Sequence, residues 1–111
     1  MKIQEILSLY VEKLKNIYGE QLLQVSLFGS YARGDNTKDS DIDILVVVKG
    51  SQCKKSHYNS ALCEMSANFN IDYDVDIQVI DISSDYFYKW HTVDPFLLNV
   101  ARDEVRLYGA A

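Results

Sequence analysis

The chain has 111 residues, 48% of them hydrophobic, and a formal net charge of −5 with an isoelectric point near 4.8. That size suits one domain over residues 1–111 with a small core and no second substrate domain, and the acidic balance argues against direct nucleic-acid binding. The longest purely apolar run, Ile44 to Val48, is far too short to span a membrane, and the polar start Met1-Lys2-Ile3-Gln4-Glu5 is not a signal peptide, so a cytoplasmic location is expected.

Ile3, Ile6, Leu7, Tyr10, Val11, Leu14, Ile17 and Tyr18 fall at helical spacing, which predicts an amphipathic helix over 3–18 stopped by Gly19. Residues 22–28 read as a first strand. Gly29-Ser30 then turns into a short helix near 30–33, and Gly34-Asp35-Asn36 is a loop. Residues 41–48 read as a second strand closed by Lys49-Gly50-Ser51. A helix is expected over 54–69, with Tyr58, Leu62, Met65 and Phe69 on one face and Asn70 as its end cap. Alternation of Tyr73, Val75, Ile77 and Val79 against Asp74, Asp76 and Gln78 predicts a third strand over 72–80. Ser83 or Ser84 caps a helix running to about His91, Asp94-Pro95 opens another to about Arg102, and Val105 to Tyr108 adds an edge strand. The expected fold is α/β (α+β): a small mixed sheet of three or four strands with helices packed mainly on one side.

Cys53 and Cys63 fit no zinc spacing and read as two reduced thiols. His57 and His91 are lone histidines. The run Tyr86-Phe87-Tyr88-Lys89-Trp90 is richer in aromatics than a small exposed helix needs, and suits core packing first and a partner or stacking surface second.

The chemistry lies in Gly29-Ser30-Tyr31-Ala32-Arg33-Gly34, followed by Ser40-Asp41-Ile42-Asp43 at the mouth of an apolar strand. Strand parity points Asp41 and Asp43 the same way, and two such carboxylates repel unless a cation lies between them. Nucleotidyl transfer needs positioning and positive charge more than covalent help, and two metal ions held by paired acids supply the charge. A third acid on the neighbouring strand would complete the site and help deprotonate the nucleophile. Asp76 is the better candidate and Asp74 the second. Gly29 permits close approach of phosphates, Ser30 and the amides beside it suit a phosphate oxygen, and Arg33 reaches either phosphate or a nearby acid.

These two segments together resemble the signature of the minimal nucleotidyltransferases of the DNA polymerase β-like superfamily, and the resemblance covers nearly the whole chain. It implies Mg²⁺ (two ions), ATP as substrate, catalytic and metal-binding acids at Asp41, Asp43 and Asp76, and nucleotide contacts at Gly29, Ser30, Arg33 and Ser40. Relatives of this kind pair with a small helical HEPN-type ribonuclease toxin, and the nucleotidyltransferase is the antitoxin that adds AMP to a tyrosine of that partner. The implied partners are therefore an NTP and a HEPN-type protein, with homo- or hetero-oligomers open. The alternatives are a non-catalytic nucleotide- or toxin-binding module, and nucleotidylation of a small molecule such as an antibiotic with a partner subunit.

Overall fold

The computed structural model describes residues 2–50 and 56–109. In chain order it contains α1 (Ile3–Tyr18), a single 3₁₀ turn (Gly19–Gln21), β1 (Leu22–Phe28), α2 (Ser30–Arg33), β2 (Ile42–Val48), α3 (Ser56–Tyr73), β3 (Ile77–Ser83), α4 (Ser84–Trp90), α5 (Pro95–Asp103) and β4 (Val105–Tyr108). The sheet order is β3-β2-β1-β4, antiparallel except for the β2–β3 pair. A parallel pair needs a crossover between its strands, and α3 provides it.

Alternation along β2 divides the interior. Ile42, Ile44, Val46 and Val48 pack with Leu7, Tyr10, Leu14, Leu62 and Phe69 of α1 and α3. Leu45 and Val47 point to the other face and pack with Ile82, Leu97 and Val100. Each such aliphatic, when fully buried, contributes roughly 1.5–3 kcal/mol. The two long helices thus lie on one face, and α4 and α5 cover part of the other. β2, buried on both faces, is the continuous apolar run seen in the sequence.

Two caps act as the sequence indicates. The Ser83 hydroxyl accepts from the Tyr86 amide, and Asp94 accepts from the Phe96 and Leu97 amides with proline at the first helical turn. The expected cap at Asn70 is corrected. The helix continues to Tyr73, and the Asn70 side chain instead accepts from the Ile77 amide at 3.0 Å and donates to the Ile77 carbonyl at 3.3 Å. It thereby ties α3 to the start of β3. The third strand is corrected as well: it begins at Ile77, not at residue 72, and runs to Ser83. Tyr73 and Val75 do pack on the larger core, but from the helix end and the turn after it. Asp74 ends the helix with a left-handed φ of 53°. Apolar residues in a helix end and a turn produced the period-two pattern of a strand.

Cys53, and with it the expectation of two reduced thiols, lies outside the described residues, as does the side chain of His57. His91 stacks on Phe87 with ring centroids 5.3 Å apart. In the aromatic run, Tyr86 and Phe87 pack against the smaller core, while Tyr88 and Trp90 stay exposed.

Candidate active site

The topology brings three chain segments to one end of the sheet. β1 ends there at Phe28, which is paired with Asp43 near the start of β2, and Asp43 is paired in turn with Gln78 near the start of β3. The Ile42 amide donates to the Asp76 carbonyl at 2.9 Å, which fixes Asp76 beside Asp41 just ahead of the two strands. Gly29 and α2 close the end above β1.

The Asp41 and Asp76 carboxyl groups lie within hydrogen-bonding reach of each other. The Asp76 hydrogen bond and charge, with some desolvation and the charge of Asp43, raise the Asp41 carboxyl above the ordinary carboxylate range. Asp43 is also raised. Burial is the main cause, the Asp76 charge adds to it, and the Arg33 charge opposes it. Gln78 donates to Asp76 Oδ1 at 2.7 Å and orients that carboxylate from the strand side. Asp74, placed on the left-handed turn, does not share the strand face expected for it. The structure brings together Asp41, Asp43 and Asp76.

Gly29 has a φ of 76° and a ψ of −155°, a conformation open essentially to glycine alone. A Cβ there would also overlap the Asp43 carboxylate. The glycine therefore lets the turn lie directly on the carboxylate. α2 is a single helical turn whose carbonyls accept from Gly34 at 2.9 Å and Asp35 at 3.1 Å, both at Ser30. The Arg33 guanidinium pairs with two acids: it donates to Asp35 at 3.1 Å and to Asp103 at 2.9 Å. The Ser40 hydroxyl accepts from the Thr37 amide at 2.9 Å and closes the 37–40 turn. Beside it is a cleft of about 310 Å³ lined by Tyr31, Lys38, Ser40, Ile42, Asp74 and Asp76. A larger groove of about 510 Å³ lies between α1 and β4 and contains none of the three carboxylates. The chemistry of the lining, and not volume, identifies the site.

An all-oxygen donor set with two carboxylates already converging fits a hard divalent cation. As the side chains stand, no three acidic, histidine or cysteine groups among the described residues surround one ion position. Gln78 and Asp103 are site-side residues that the motif reading missed. Gln78 had a signal in its strand alternation with Asp76. Asp103 had none, since a carboxylate at a helix end 70 residues from Arg33 carries no local mark.

A pH effect follows from the raised Asp41 group. Its contribution to stability is fully present below the unfolded carboxylate pKa, near 4, and is lost as pH rises through the raised folded value. In chelator, urea midpoints should therefore fall with rising pH across this window, and Asp41→Asn should flatten that part of the profile. Parallel profiles for the two proteins would show that the Asp41 carboxyl is not raised by its neighbours.

Residues 7–88 match the nucleotidyltransferase domain family. A Methanocaldococcus jannaschii relative named, provisionally, a protein adenylyltransferase is 32% identical over 109 residues, covering 98% of this chain and 97% of its own. The Thermococcus cleftensis protein adenylyltransferase MntA is 40% identical over 45 residues, 40% of this chain and 43% of its own. Among solved structures, a toxin–antitoxin complex with AMP-PNP superposes with a TM-score of 0.65 at 22% identity, covering 98% of this chain and 75% of that one. At that identity the likeness speaks for the fold alone. With the glycine turn and the paired acids inside the matched residues, the chain belongs to the nucleotidyltransferase domain family and is a nucleotidyltransferase.

Proposed function

We propose that residues 1–111 form a nucleotidyltransferase domain that moves AMP from ATP to a protein hydroxyl, with Mg²⁺. We assign the acceptor to a tyrosine of a HEPN-type toxin, which makes this chain the antitoxin of a cytoplasmic pair. The observation that carries the reading is the placing of Asp41, Asp43 and Asp76 at one end of the sheet, with the Gly29 turn lying on the Asp43 carboxylate. The near full-length relative named a protein adenylyltransferase supports it. So does a solved neighbour described as a tri-AMPylated Shewanella oneidensis HEPN toxin in complex with MNT antitoxin, which has a TM-score of 0.57 at 22% identity and is covered over 74% of its length.

In this reading the triphosphate lies over Gly29 and Ser30, with Arg33 beside it and Ser40 shaping the neighbouring loop. Asp41, Asp43 and Asp76 would hold Mg²⁺, which would supply positive charge for the phosphate groups. Asp76 takes the proton of the acceptor hydroxyl. The acceptor oxygen forms its bond to the α-phosphorus as the bond from that phosphorus to the β-phosphate bridging oxygen breaks. Pyrophosphate leaves with the electron pair. The test is intact-mass measurement of a HEPN-type candidate partner after incubation with this chain, ATP and MgCl₂. Addition of one or more adenylyl groups is expected, with none in EDTA. An unchanged partner mass, from a protein that binds ATP, would overturn the protein-acceptor assignment.

A further inference from the structure

Asp103 sits where elementary electrostatics disfavours it. It is the last residue of α5, and the C-terminal end of a helix repels negative charge. Its side chain is only 11% exposed, so it also bears a desolvation cost. Glu104 follows it immediately, but is already held by Arg106, Ser26 and Gln24. What compensates Asp103 is Arg33, whose Nη1 lies 2.9 Å from its Oδ2. The nearer cation in sequence, Arg102, stands 3.9 Å away and is 73% exposed. Arg33 has a second acidic partner, Asp35 at 3.1 Å, which is 61% exposed and lies in the loop just beyond α2. The two contacts differ in kind. The Asp103 contact is anchored in a packed helix end, while the Asp35 contact is open to solvent and can be exchanged for another anion.

We propose that Asp103 is a positioning residue for nucleotide binding: it holds the Arg33 guanidinium from behind, so that the exposed edge now taken by Asp35 faces the triphosphate. The inference rests on the reading of the Gly29–Arg33 turn as the triphosphate seat. It also couples α5, which lies beyond the family match ending at residue 88, to the signature turn. A preorganised cation loses less freedom when it binds an anion than one that must be gathered from solvent. Asp103 therefore adds to affinity although it is itself negative.

The test is calorimetric titration with Mg-ATP of the unmodified chain, Asp103→Ala, Asp103→Asn, Asp35→Ala, Arg33→Ala and the double variant Arg33→Ala/Asp103→Ala, each shown folded by circular dichroism. Asp103→Ala should weaken binding about five- to tenfold, and Asp103→Asn less, because one hydrogen bond survives. Asp35→Ala should bind at least as tightly as the unmodified chain, since a competitor for Arg33 is gone. In the Arg33→Ala background, removing Asp103 should change affinity less than twofold, because no guanidinium remains to be held. A purely structural Asp103 would lower stability equally in both backgrounds and leave affinity alone. Tighter or unchanged ATP binding in Asp103→Ala overturns the proposal, as does an undiminished Asp103 effect without Arg33. An unmodified chain that fails to bind ATP overturns the triphosphate reading itself, and this inference with it.

Discussion

Asp76→Asn should lose nucleotidyl transfer by at least about a hundredfold while keeping most of its affinity for Mg-ATP. Loss of a general base costs on the order of 10²–10⁴ in rate. The substitution is nearly isosteric, and it removes one of two acids that lie side by side. Asparagine can still hydrogen-bond Asp41 without repelling it, so the folded protein should be as stable as the parent or more so. That separates lost chemistry from lost structure. Asp41 and Asp43 remain to hold a cation with the triphosphate, which is why binding should persist. Asp74→Asn is the matched control: Asp74 lies on the left-handed turn after α3 and outside the group of three, so it should retain near-parental transfer. The measurement is labelled-AMP transfer to the cognate partner beside ATP titration and urea unfolding. Loss of activity in Asp74→Asn with full activity in Asp76→Asn would reverse the assignment.

The choice between these two acids shows what the sequence can carry. Asp41 and Asp43 were legible because a strand alternates and because Ile44 to Val48 is apolar on both faces. Asp76 and Asp74 were read as sharing one strand face, yet they occupy different structures. Tyr73 and Val75 reach the core from a helix end and a turn, and their spacing imitates a strand. Nothing in the local pattern distinguishes the two cases, because the left-handed φ at Asp74 leaves the apolar–polar spacing unchanged. The caps at Ser83 and Asp94 were legible, since each is satisfied by amides two or three residues away. The Arg33–Asp103 and Asn70–Ile77 contacts are the opposite kind: the first joins residues far apart in sequence, and the second joins a side chain to a strand edge that did not start where the pattern put it. The roles of Arg33 and Ser40 were underdetermined for a related reason. A residue type in a motif says which groups it can bind, and the surrounding loop decides which it binds first.

Gly29→Ala should be the most damaging single-methyl change at this end of the sheet. The backbone conformation alone costs about 1–3 kcal/mol for a residue with a Cβ. The added methyl also lands on the Asp43 carboxylate, which has little room to retreat: Asp43 is held in β2 between Phe28 on one side and Gln78 on the other. Either the turn lifts away from the sheet or the carboxylate swings out of line with Asp41 and Asp76. Both outcomes separate the proposed phosphate seat from the acids, so ATP affinity and transfer should fall together, the latter by about a hundredfold or more. Gly34→Ala provides the comparison. Gly34 has a φ of 83°, but nothing lies within 4 Å of its Cβ position. It should cost on the order of 1 kcal/mol and leave transfer nearly intact. Urea midpoints give the stability difference, and transfer assays run well below the lower midpoint give the activity. If Gly29→Ala and Gly34→Ala prove equally stable and equally active, then contact between the turn and Asp43 is not what organises the site, and the role of Gly29 reduces to that of an ordinary turn residue.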